Sequence, residues 1–194
     1  MYNGYESTEI CKGCGGACCK AIGCSLAPED MLREMAAWRY EKNLEKMPQG
    51  DMDTGQSAET DWRHLEEWLR QSDCAIDTFT GTAGLCYYIR MRHKCFTFIG
   101  VDAMGECIAL TDQGCRLSYE RRPRGGRFLE GRIDRHCVQH YTRQQMEEDW
   151  RPYQGLLGEI WDRWHHRLAR EGVFDRCEEA YMLYQKEKRQ GGKE

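Results

Sequence analysis

The sequence predicts a helix-rich α+β domain with a minor β-hairpin or sheet around a cysteine-rich centre. Three observations predict it. Stretches near both ends of the chain carry apolar residues at helical spacing. Between them, "LCYYIRMRHKCFTFIGV" (85–101) is dense in the aromatic and β-branched residues that suit strands. Twelve cysteines are spread over 194 residues, four of them within "CKGCGGACC" at 11–19.

A chain of 194 residues fits one domain, 1–194. With 40% of its residues hydrophobic it has enough apolar side chain for a core, and 31% charged residues supply the surface. Six Trp and ten Tyr need packing, which argues against disorder. A net charge of -4 disfavours nucleic acid as a partner, because binding it would need a local basic face. No window approaches the roughly 18 apolar residues of a membrane span. The opening "MYNGYESTEI" lacks the basic and apolar regions of a secretory signal. The expected compartment is therefore the cytoplasm, where thiols stay reduced. Twelve cysteines there read as metal ligands in preference to a disulfide scaffold.

Residues 1–10 read as a tail and 11–24 as a Gly/Cys knuckle without helical or strand period. Pro28, Glu29 and Asp30 start a helix, since proline is tolerated in the first turn and acids suit the N-terminal dipole. Its stripe of Met31, Leu32, Met35, Trp38 and Leu44 predicts a helix over 28–46. "MPQGDMDTGQSAET" (47–60) reads as a mobile polar loop. A short helix over 61–72 gathers Trp62, Leu65, Trp68 and Leu69 on one face. Residues 85–101 give one or two strands, and 106–119 a hairpin-like pair around "TDQG". Residues 120–135, with Arg121, Arg122, Arg124, Arg127, Arg132 and Arg135, read as a basic loop. The C-terminal helices occupy 142–189. Met146, Trp150, Tyr153, Leu157, Trp161, Trp164 and Leu168 make a stripe over 142–171, restarted at Pro152 and ended by Gly172. A last helix covers 175–189. The tryptophans read as core or as a self-association face, hence a homodimer, in preference to a ligand cage.

The chemistry lies in the cysteines. Cys11, Cys14, Cys18 and Cys19 spell C-x2-C-x3-C-C. A C-x2-C pair lets two thiolates face one ion, and Gly13, Gly15 and Gly16 allow the backbone to turn around it. Neighbouring side chains point apart, so the adjacent Cys18 and Cys19 imply a bystander or more than one metal atom. Cys107, Cys115 and Cys137 follow. Seven thiols exceed the four that a mononuclear zinc or a [4Fe–4S] cluster takes, which predicts two sites or a polynuclear one. Cys74, Cys86 and Cys177 read as packed apolar thiols, while Cys24 and Cys95 are open either way. His136 and His140 flank Cys137 as further candidate ligands. His165 and His166 read as structural or solvent-facing.

"CKGCGGACC", the Pro-led helix at "LAPEDMLREM" and "CIALTDQGCRLSYERRP" together resemble the YkgJ-type cysteine-cluster family, described as a zinc- or iron-chelating domain. The resemblance covers about 11–36 and 107–128. Cys107, Leu110, Cys115, Leu117, Tyr119, Arg122, Pro123 and Arg127 occupy the places of the family pattern in the second block. Gly126 departs from it, standing where the family has a cysteine. Cys137, Cys24, Cys95, His136 or His140 then replaces the missing thiol, or the site is open on that side, as a catalytic metal requires. The flagellin lysine N-methylases resemble the chain through the same cluster, which implies S-adenosylmethionine chemistry. No G-x-G-x-G loop follows a strand, so a Rossmann methyltransferase has no support.

The resulting expectation is a cytoplasmic protein that holds iron, as an iron–sulfur cluster, through Cys11, Cys14, Cys18, Cys19, Cys107, Cys115 and Cys137, for redox or electron-transfer chemistry. One alternative is a structural zinc–thiolate domain that binds a protein partner. Another is a metal-dependent modifying enzyme, acting on a small molecule or protein, with the arginine loop holding an anionic group. The bland reading of those arginines is pairing with the chain's own acids.

Overall fold

The computed structural model describes residues 24–41, 62–92, 98–99, 107–111, 114–132, 137–176, 178–179 and 182. Within them the chain is α+β, with helices and three two-stranded antiparallel sheets. The tail at 1–10, the cysteine cluster at 11–19 and the loop at 47–60 lie outside the described residues.

α1 (Pro28–Glu41) starts where the sequence places it. Pro28 sits in the first turn, whose amides have no intrahelical partner to lose. The Asp30 carboxylate reaches back to accept the Ala27 amide at 3.1 Å, half of a capping box. Met31, Met35 and Trp38 are buried, but Leu32 is exposed. One residue beyond Met31 is a rotation of about 100° around the helix, so Leu32 leaves the buried face. The expected extension to 46, with Leu44, lies outside the described residues. α2 (Trp62–Gln71) buries Leu65, Trp68 and Leu69 as its pattern requires.

The first difference from expectation is a strand that the sequence reading leaves unassigned. β1 (Cys74–Gly81) pairs antiparallel with β2 (Gly84–Met91) along its whole length, from Cys74 opposite Met91 to Gly81 opposite Gly84. Thr82 and Ala83 form the two-residue turn. Gly84 takes a positive φ of 126°, which a side chain would strain. Ile76 and Ile89 face each other fully buried. The expected strand region 85–101 is interrupted: β2 stops at Met91, and Ile99 makes a separate parallel bridge to Ile76. Residues 24–26 run antiparallel along the other side of β2. The Met91 amide donates to Cys24 O and the Leu26 amide to Ile89 O, both at 2.9 Å.

The 106–119 hairpin is present in short form, as β3 (Leu110–Thr111) and β4 (Gly114–Cys115). The expected basic loop over 120–135 is more ordered than its composition implies. A 3-10 turn (Tyr119–Arg121) leads through Pro123 into one helical turn, α3 (Arg124–Arg127). β5 (Leu129–Glu130) then pairs with β6 (Val138–Gln139). The glycines make a helical turn because this turn packs on backbone. The Gly125 amide donates to Ser25 O at 2.9 Å, and a Cβ on Gly125 would lie 2.9 Å from that oxygen.

α4 (Arg143–Trp150) opens with a full capping box between Thr142 and Gln145. The helix restarts at Pro152 as the sequence predicts: a 3-10 turn (Arg151–Tyr153) leads into α5 (Gln154–Arg170). Gly172, with φ of 62°, closes it. The expected last helix is seen only in part, at residues 173–176, 178–179 and 182.

One large core joins α1, α2, the β1–β2 hairpin, α4 and α5. Trp150, Leu157 and Ile160 are fully buried within it. The Trp150 indole N–H donates to Leu26 O at 3.1 Å. The Gln154 amide both accepts from Tyr87 N and donates to Tyr87 O, each at 2.8 Å, completing β2 as a neighbouring strand would. Trp161 and Trp164 pack on the same core beside Tyr87 and Phe98. A second, much smaller cluster consists of Cys24, Cys107 and Ala109, with Met91, Leu110, Cys115 and Leu117 against it. Among the described residues no helix is long and apolar enough to cross a membrane.

Candidate thiol centre

The small cluster is where cysteine chemistry collects. Cys24 comes from the segment beside β2, and Cys107 from the turn that leads into β3, where Leu110 N donates to Cys107 O at 3.1 Å. Cys115 ends the short hairpin directly across from Leu110. The hairpin closes through Thr111 Oγ1 to Gly114 O at 2.8 Å, and Gly114 has a positive φ of 98°. Cys24 is completely buried, Cys107 nearly so, and Cys115 half-buried.

The thiols of Cys24 and Cys107 hydrogen-bond each other. That bond holds the Cys24 thiol down to about 7, from an ordinary 9.0. The Arg90 guanidinium acts in the same direction, while burial and the Asp77 carboxylate oppose it. The same hydrogen bond, with burial, pushes the Cys107 thiol well up. The two thiols therefore titrate as a pair. Arg90 remains a cation: burial works against its charge, and neighbouring Cys24, Tyr88 and Asp77 outweigh it. Arg90 also pairs with Asp77 at 3.1 Å, and Arg92 approaches the same carboxylate oxygen at 3.7 Å.

A second junction fixes the geometry. Asp30, only 1% exposed, accepts from Arg124 N at 2.6 Å as well as from Ala27 N, and pairs with Arg127 and Arg33 at 3.1 Å each. Tyr119 donates to Arg127 O at 3.3 Å, and Arg122 Nε donates to Leu117 O at 3.2 Å. Residues 24–36 and 107–127, which carry much of the two resembling blocks, are therefore docked face to face. Of the motif residues, Tyr119, Arg122 and Arg127 build scaffold.

Of the seven expected ligands, Cys11, Cys14, Cys18 and Cys19 lie outside the described residues. Cys107 and Cys115 come together. Cys137 is half-buried just before β6 and is not packed in their cluster. Cys24, left open by the sequence, is the thiol that meets Cys107. Cys74 and Cys86 are buried, as expected of packed thiols, and burial pushes Cys86 up to about 11. Cys95, Cys177 and His136 lie outside the described residues. His140 meets Glu130 at 2.9 Å. His165 packs against Trp161 and Phe174, in a structural place. Arginines of the basic stretch meet acids: Arg124 with Asp149 at 2.7 Å, Arg127 with Asp30, and Arg132 with Glu130 at 3.7 Å.

Sequence reasoning missed Asp77, Arg90 and the structural weight of Asp30. The signal for the first two was the strand pattern of "CAIDTFTG" facing β2, which sets Asp77 opposite Tyr88, two register positions from Arg90 and on the same face. The chemistry of the centre suits a soft, thiolate-seeking metal, since its donors are sulfur and its neighbours a cation and apolar groups. Among the described residues no three Cys, His, Asp or Glu side chains converge as a metal-holding group. The donors present there are the Cys24–Cys107 pair with Cys115 beside it. No protein-family model, curated protein or solved structure matches the chain.

Proposed function

We propose that this chain holds iron through clustered thiolates, as an iron–sulfur cluster, and serves in redox or electron-transfer chemistry in a reducing compartment such as the cytoplasm. The observation that carries this reading is the docking of Cys24, Cys107 and Cys115 into one buried sulfur cluster beside Arg90. The C-x2-C-x3-C-C run ends at Cys19, five residues before Cys24. Five residues of chain reach at most about 18 Å, so chain length alone allows Cys19 to share a site with Cys24. Sulfur donors select iron–sulfur clusters or zinc over hard cations, and more than four of them favour a polynuclear site. The YkgJ-type resemblance points to the same chemistry. A bound cluster would supply one-electron transfer, at a potential tuned by burial and by hydrogen bonds to its sulfurs. Arg90, buried and bridged to Ser25 beside Cys24, would be a candidate donor for such a bond.

The few apolar residues that the second core gathers among the described residues favour a zinc–thiolate alternative, because structural zinc can staple such a cluster. Iron, zinc and acid-labile sulfide per chain, measured on protein purified without oxygen together with its visible spectrum, separate the two. About four irons and four sulfides mean a cluster. Zinc without sulfide means the alternative. Protein that takes up neither metal refutes both.

A further inference from the structure

We infer that Cys24 is a ligand of the thiolate centre, alongside Cys107 and Cys115. The inference rests on the metal-binding reading above and adds a residue that the spacing of the clustered cysteines does not assign. Three observations carry it.

The first is contact: Cys24 and Cys107 pack together in the small buried cluster with Cys115 against them, so one ion or one cluster edge placed at Cys107 is within reach of Cys24. The second is charge. Arg90, itself buried, lies across a backbone bridge from Ser25, the residue after Cys24, and pairs with Asp77 at 3.1 Å. A cysteine that served only as a small apolar side chain would gain nothing from a buried guanidinium, whereas a metal-bound thiolate is an anion that accepts from it. Cys86 gives the contrast. It is as buried as Cys107 but turns its S–H to a backbone carbonyl, Tyr87 O at 3.8 Å. The third is anchoring. Cys24 O accepts from Met91 N at 2.9 Å, and the next residue, Ser25, accepts from Gly125 N at 2.9 Å. The backbone on both sides is fixed, as a ligand site requires. The turn Arg124–Arg127 abuts this same backbone through Gly125.

The test loads wild type, Cys24→Ala and Cys86→Ala with ferrous iron and sulfide without oxygen, and separately with zinc. The readouts are metal and sulfide per chain, the visible spectrum, and the sulfur count at the metal by X-ray absorption. Cys86→Ala is expected to match wild type. Cys24→Ala, which keeps a small apolar group in the cluster, is expected to lose at least half of the metal or to show one sulfur fewer. Equal loading, spectrum and sulfur count in Cys24→Ala overturn the inference while leaving the metal-binding reading in place. Wild type that binds neither iron nor zinc overturns both. If metal-free Cys24→Ala lacks the far-ultraviolet circular dichroism of wild type, Cys24→Ser, which keeps a polar atom for Arg90, is judged by the same criteria.

Discussion

Asp30 is the residue whose removal most directly tests how the two cysteine-bearing blocks are held together. Its carboxylate is 1% exposed and has four partners: the amides of Ala27 and Arg124, at 3.1 and 2.6 Å, and the guanidiniums of Arg33 and Arg127, at 3.1 Å each. Arg33 is 46% exposed and screened by water, so its pair contributes little. Arg127 is 23% exposed, and the Arg124 amide is held by a short charge-assisted bond. Removing one partner of a buried pair costs about 3–5 kcal/mol. Partial exposure of Arg127 puts Asp30→Ala at the low end, about 3 kcal/mol. Asp30→Asn keeps one acceptor for Arg124 N but turns an amide N–H₂ toward a cation, and should cost about 2 kcal/mol. For a chain of this size 3 kcal/mol corresponds to a Tm lower by about 6–12 °C. Urea titration of metal-free protein, followed by tryptophan fluorescence, reads the loss. A thiol reagent should also label Cys24 and Cys107 faster in both variants, because the docked turn beside Ser25 opens. A cost below about 1 kcal/mol for Asp30→Ala, with unchanged thiol labelling, would refute the reasoning.

Other expectations follow from single contacts. Gly125→Ala puts a Cβ 2.9 Å from Ser25 O and 3.0 Å from Ser25 N, backbone atoms that cannot swing aside. It should cost about 1–3 kcal/mol by urea titration. Glu147 accepts from Thr82 N at 2.9 Å and Thr82 Oγ1 at 2.6 Å, and these bonds hold its carboxyl below the usual 4.5. The unfolded chain therefore binds the proton first, so this contribution is present above pH 4.5 and is lost as pH falls below it. Glu147→Gln should flatten the stability–pH slope in that acidic window and leave it unchanged near neutrality, as read by denaturation at stepped pH. Leu157→Ala, at a fully buried site of the large core, should cost about 2–5 kcal/mol by the same titration.

What the sequence made legible was whatever depends on local pattern. Pro28 with its acids, the Met31–Met35–Trp38 spacing, the restart at Pro152 and the stop at Gly172 each declare themselves within a few residues, because capping and helical period are local physics. β1 did not declare itself. "CAIDTFTG" mixes buried and half-buried positions, and its identity as a strand comes from β2 across a two-residue turn and from the Ile99 bridge. The site divides the same way. Cys115 is turned back toward Cys107 by a short hairpin visible in "TDQG", which pairs it with Leu110. Cys24 meets Cys107 across 83 residues, through the backbone of β2, and no period in the sequence records that. The motif residues Tyr119, Arg122 and Arg127 were legible as a pattern but not as scaffold, since each bonds a carbonyl or carboxylate that only the fold brings near.

The division into two cores explains why polar contacts, and not packing, join the blocks. The large core rests on Trp68, Trp150, Leu157 and Ile160 and does not include Cys24, Cys107 or Cys115. Among the described residues the small one has Cys24, Cys107 and Ala109 at its centre, with Met91, Leu110, Cys115 and Leu117 against it. Directional bonds join the blocks: Asp30 to Arg124 and Arg127, Gly125 to Ser25, Arg122 to Leu117. Such bonds set position to a fraction of an ångström but add little net stability each. A sulfur-bound metal has the opposite character, adding much stability to whatever geometry is already in place. Under the proposed metal-binding reading, a bound ion would add its stability to the geometry that these bonds already set around Cys24 and Cys107.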